Sequence, residues 1–188
     1  MKLGIITSIF DGWTCEEMID EVSRIGYETI EVASWPQGKA ERRYAGVTHV
    51  DAERVLEDDA YAQHLLDYAA EHHVQIGALA YYPNNMDADL ERRRVCNEHL
   101  INVIHAAKKL GVKVIAVTSK PESPLAAAAD AVLVVPGRVK GEAGGSIQLL
   151  SSLFDQSVHI ALDALCLMLS RRDNVSDADA NANHANVE

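Results

Sequence analysis

The chain has no surplus of positive charge. Its 17 Lys and Arg stand against 28 Asp and Glu, for a net charge of -11. That balance excludes the clustered basic surface that nucleic acids and anionic membranes require of a partner. Cysteine is also scarce: Cys15, Cys96 and Cys166 are scattered, their number is odd, and no CxxC pair exists. A disulfide framework is therefore not expected, and each thiol reads as a buried, reduced side chain in an apolar helical pattern. No signal peptide is recognisable, because Met1–Phe10 is short and Asp11 interrupts it. No apolar run approaches the roughly 20 residues of a membrane span. These absences together give the expectation of a cytoplasmic protein.

What is present fits a soluble globular domain. The 188 residues suit one domain with a real core, and 48% hydrophobic with 24% charged residues is ordinary. Leu3–Thr7 reads as a strand. Thr14 and Glu17 have capping-box spacing, Met18, Ile19, Val22 and Ile25 make one apolar stripe, and Gly26 ends that helix. Thr29–Ala33 is the second strand. A Gly-rich, charged loop then leads to a helical stretch over Asp51–His73, in one or two pieces. Val74–Ala80 is the third strand, Asp89–Leu110 a long helix, and Val112–Thr118 a fourth strand with the continuous β-branched character of a doubly covered parallel strand. Pro121–Ala129 holds only a short helix. Ala131–Val135 is the fifth strand, Arg138–Gly145 a basic loop, and Ser146–Arg172 a long apolar helix.

This alternation predicts an α/β fold with a parallel sheet and right-handed crossovers. Five strands are too few to close an eight-stranded barrel. The expected architecture is an open five-stranded parallel sheet with helices on both faces. The favoured strand order is 2-1-3-4-5, and the barrel-like order 1-2-3-4-5 is the alternative. Residues 1–172 form one domain in this reading, and 173–188 a polar tail.

Two resemblances divide the chain. The opening MKLGIITSIFDGWTCEEMIDEVSRIGYETIEVASWP, the segment IGALAYYPNNMDADLERRR and the helix NEHLINVIHAAKKLGVKVI resemble the xylose-isomerase-like TIM barrels over about residues 1–116. In that family the divalent metal is held at the ends of later strands, which this chain lacks. Glu31, Tyr81–Asn85, His49 and Asp51 could line a substrate rim, but they could not form the family's metal site. Asp51 serves equally well as a helix N-cap.

The segments VIAVTSKPESPLAAAADAVLVVPGRVK and SIQLLSSLFDQSVHIALDALCLML, with the terminal HANVE, resemble the 6-phospho-3-hexuloisomerases of the sugar isomerase (SIS) family over about residues 108–188. The resemblance implies an aldose–ketose isomerase that needs no cofactor. It gives His184 a proton-transfer role. Asp155 with Gln148 could form the carboxylate/amide pair for the enediol step, and Ser119, Glu122 and Ser123 follow the fourth strand, on the edge where ligands bind open α/β sheets. It also implies self-association through the helix over 146–172. Two departures matter. Leu149-Leu150-Ser151 and Asp155 replace a Pro-Met-Gly turn and a Glu, and no Ser/Thr- and Gly-rich phosphate loop precedes residue 108.

The two patterns share the element over 108–118. The leading expectation is a recombined, chimeric α/β protein built from sugar isomerase fragments, natural or engineered, without efficient catalysis. The alternative is a cofactor-independent sugar-phosphate aldose–ketose isomerase of the hexuloisomerase type. Neither reading calls for a metal.

Overall fold

A computed structural model of the chain describes residues 2–38, 46–137 and 152–179. It is an α/β structure with parallel strands, divided into two compact units, Met1–Val114 and Ile115–Glu188.

In the first unit β1 (Gly4–Ile6), β2 (Thr29–Ala33) and β3 (Gln75–Ala80) form a parallel sheet in the order β1-β2-β3. The favoured order 2-1-3 would have put β1 in the middle; the structure puts β2 there. The reason lies in the connections: each strand–helix step returns the chain beside the strand it has just left. Ile5 pairs with Ile30, and Ile30 with Ile76. Ile30 and Val32 are fully buried, whereas Thr29 and Glu31 on the alternate side of β2 stay partly exposed. That is the period-two pattern of a strand with one buried face.

Helix α1 (Cys15–Ile25) starts where the spacing predicts. The Thr14 hydroxyl accepts from the Glu17 amide at 3.1 Å, and the Glu17 carboxylate accepts from the Thr14 amide at 2.8 Å. Gly26 ends the helix at φ 101°, where a side chain would be strained. The helical stretch after β2 comes in two pieces, α2 (Ala52–Glu57) and α3 (Asp59–Glu71), capped by Asp51 and Asp58. Helix α4 (Leu90–Lys109) follows β3, capped by Asp89. Met18, Ile19 and Val22 of α1, Val55 of α2, Leu65 of α3 and Val103 of α4 join Ile30, Val32 and Ile76 in one core.

In the second unit β4 (Ile115–Thr118) pairs in parallel with β5 (Ala131–Val134) as a two-stranded sheet. The five strands are thus divided between sheets of three and two rather than set in one. The fourth strand is not buried on both sides: Ile115 is exposed and Ala116 buried. Helix α5 (Pro124–Ala128) lies between the two strands in sequence, and α6 (Ser152–Arg172) follows. Gly137 passes so close to α6 that a Cβ there would sit 2.7 Å from the Phe154 Cα. No residue of α6 is buried; Ile160 is 70% exposed and Met168 67%. The expectation that no segment approaches a membrane span also changes, since α6 is long and apolar enough by length and composition.

Candidate functional site

Two places collect chemistry, one in each unit. In the second unit the chain leaves the carboxyl end of β4 through Ser119, Glu122 and Ser123. Ligands bind open α/β sheets at such an end. Ser123 is committed to structure: its hydroxyl accepts from the Ala126 amide at 3.2 Å and caps α5. The Thr118 hydroxyl accepts from the Lys120 amide at 3.1 Å and tightens the same turn. Ser119 is half-buried and Glu122 exposed. Asp155 lies exposed in the first turn of α6. Gln148 and His184 fall outside the described residues, as do Arg138 and Lys140. The structure therefore gathers Ser119, Glu122 and Ser123 in one loop.

In the first unit a cleft of about 590 Å³ opens beside the carboxyl ends of β2 and β3. Its walls are aromatic. The Trp35 ring meets Tyr81 at 5.9 Å and Tyr82 at 5.6 Å, in both cases close to edge-on. Asn84, Arg92 and Cys96 line the same space. Burial raises the pKa of the Tyr81 phenol, and the neighbouring Cys96 adds to the effect. Behind Tyr81, at 4.6 Å, lies the buried His99 ring. Its Nε2 donates to the Ser34 carbonyl at 2.8 Å, which ties α4 to the end of β2. Such a cleft, with apolar walls and a few polar groups, suits a small molecule.

Of the rim residues named from sequence, Tyr81, Tyr82, Pro83 and Asn84 do line the cleft. Asn85 and Glu31 are not among its lining residues. Glu31 sits within β2, in register with Ile6 and Ala78, and burial raises its pKa above the ordinary 4.5. His49 and Asp51 are both engaged within the protein. Both ring nitrogens of His49 already have protein partners, and the Asp51 carboxylate caps α2 by accepting from the Arg54 amide at 3.0 Å. Among the described residues no group of three or more His, Cys, Asp or Glu side chains could hold a metal ion. Trp35, Cys96 and His99 were not singled out from sequence as site residues. A Trp directly after a strand, and Arg92, Val95, Cys96 and His99 sharing one helix face at three- and four-residue spacing, were the available signals.

No family model matches the chain. Over 91 residues it is 34% identical to the 3-hexulose-6-phosphate isomerase of Mycobacterium gastri, covering 47% of this chain and 46% of that one. Over 92 residues it is 35% identical to the 3-hexulose-6-phosphate isomerase of Bacillus subtilis, covering 47% and 50%. An uncharacterized protein of Archaeoglobus fulgidus matches at 35% over 92 residues, covering 47% and 50%. The likeness is to sugar-phosphate isomerases. The chain spans about half the length of these curated relatives. These matches support the resemblance to the SIS-type isomerases and lend none to the xylose-isomerase-like resemblance or to a chimeric origin. A solved structure described as a hypothetical protein matches at 22% identity and a TM-score of 0.40, covering 74% of this chain and 88% of that one.

Proposed function

We propose that the chain is a sugar-phosphate isomerase of the SIS type, interconverting an aldose and a ketose phosphate, with a ketohexose 6-phosphate as substrate. The observation that carries this reading is the 34–35% identity over 91–92 residues to two 3-hexulose-6-phosphate isomerases. The reaction needs a base to take the proton beside the carbonyl and a donor to return it to the adjacent carbon through an enediol. Asp155 is assigned the base and His184 ring opening and proton return; His titrates in the range such work requires. Gln148, Ser119, Glu122 and Ser123 are assigned to binding. No cofactor takes part.

A direct isomerisation assay with a ketohexose 6-phosphate tests this. The expected outcome is turnover that falls about 10²–10⁴-fold in His184→Ala and in Asp155→Asn. Absence of turnover, together with a flat thermal-shift response to the same sugar phosphate, would leave a folded α/β protein without efficient catalysis.

The apolar helix α6 belongs to the same proposal. Its Ile160, Leu167 and Met168 are exposed in the single chain, and a second copy of the chain is assigned to cover them.

A further inference from the structure

His49 is 5% exposed and joins three segments at the carboxyl end of the first sheet. The Ala33 amide donates to the Thr7 hydroxyl oxygen at 2.9 Å. The Thr7 hydroxyl lies 2.9 Å from His49 Nδ1, and His49 Nε2 lies 3.1 Å from the Phe10 carbonyl. A carbonyl only accepts, so Nε2 carries the proton and Nδ1 accepts from Thr7. The ring fits this network as the neutral imidazole. A second proton, on Nδ1, would face the Thr7 hydroxyl and turn its hydrogen away in a fully buried place.

The network holds more than itself. The His49 and Val50 amides donate to the Ala33 carbonyl at 2.9 and 3.2 Å, and the Trp35 amide donates to the Val47 carbonyl at 3.3 Å. The Thr48 hydroxyl donates to the Trp35 carbonyl at 2.7 Å. Segment 47–50 is thus laid along residues 33–35, and Trp35 and Gly46 at its edge line the cleft. We propose that His49 is an acid-sensitive latch: neutral, it holds segment 47–50 against the end of β2 and keeps the Trp35 wall in place; protonated, it releases that segment and opens the cleft.

Burial holds the imidazole below its ordinary 6.5, against the opposing pull of the Phe10 carbonyl and the Asp11 carboxylate. The neutral ring therefore adds stability in full above about pH 6.5. That stability is lost as pH falls below 6.5 and through the lower value of the folded protein. The other titratable groups nearby behave differently. Asp51 is engaged as a cap, and Cys15 and Tyr61 are both pushed upward by burial and stay neutral in acid. Glu31 on β2 is raised and is the group whose protonation could imitate the latch.

The test uses the full chain in a Trp13→Phe background, which leaves Trp35 as the sole indole of the two. Trp35 emission and far-ultraviolet circular dichroism are followed from about pH 8 to about pH 4. The expected result is a one-proton shift of Trp35 emission below pH 6.5, with secondary structure unchanged. Protection of the Val50 amide should fall by up to about tenfold per pH unit between 6.5 and the lower value of the folded protein, and level off below it. The shift should vanish in His49→Gln and persist in Glu31→Gln. A shift that survives His49→Gln, or no shift at all, overturns the proposal. Should His49→Gln fail to fold, NMR titration of the His49 ring in the unsubstituted chain decides: a pKa at or above 6.5 overturns it.

Discussion

Two cysteines of this chain face opposite surroundings. Cys15 opens α1 inside the core, and burial pushes its thiol up to about 12, with the adjacent Glu16 carboxylate adding to the effect. Cys166 is exposed on α6. Thiolate is the reactive form, so iodoacetamide at about pH 8 should label Cys166 and leave Cys15 unmodified until the protein is denatured. Mass spectrometry of the labelled peptides checks this; labelling of native Cys15 would contradict the core described above. The sequence predicts both thiols as buried, and only Cys15 is so. An apolar pattern reports that a side chain wants cover; whether a neighbour supplies it depends on packing far away in sequence. His99 shows the same limit. Its partners, the Ser34 carbonyl and the Tyr81 ring, come from two different strand ends, and spacing within one helix cannot reveal them.

At the scale of elements, polar spacing explains what apolar spacing does not. Glu16 and Asp20 of α1 face His64 and Tyr68 of α3 and His72 at its C-cap, at matching four-residue intervals. His64 meets Glu16 at 2.8 Å, the Tyr68 hydroxyl donates to Asp20 at 2.8 Å, and His72 meets Asp20 at 3.1 Å. These pairs seam the two helices beside the buried side chains of Val22 and Leu65. The His64 hydrogen bond also lowers the Glu16 pKa. Helix ends were legible because they are set locally, by Thr14, Asp51, Gly26 and their neighbours. The burial of α6 was not. Its apolar residues run all round the helix, which says that it should be covered without saying by what. Covering it with a second copy leads to a direct expectation. The protein should sediment as a dimer or larger at tens of micromolar, and Ile160→Asp with Met168→Asp should make it monomeric with α1 to α4 intact. A monomer without these substitutions would reject self-association through α6.

At the scale of the molecule, the core is unevenly shared. Every side chain of the main hydrophobic cluster, from Cys15 to Val112, lies in the unit Met1–Val114. In the second unit the buried apolar side chains among the described residues are Ala116, Ala126 and Val135. A fragment of residues 1–114 should therefore unfold in one cooperative thermal transition, and residues 115–188 alone should show none. Calorimetry of the two fragments checks this, and a cooperative transition in 115–188 would contradict it. The alternation of strands and helices made the α/β class legible in the sequence, but strand order depended on contacts between segments tens of residues apart. The favoured order failed at β1, a strand of three residues whose only mark in the sequence is a short apolar run. The placing of the core also bears on biosynthesis. Translation proceeds at about 5–20 residues per second, and domains that leave the ribosome first tend to fold first. The unit that holds the main core comes first here, so it can be complete several seconds before the apolar α6 emerges. The surface most prone to aggregation is thus exposed only after its own chain can no longer be trapped by it.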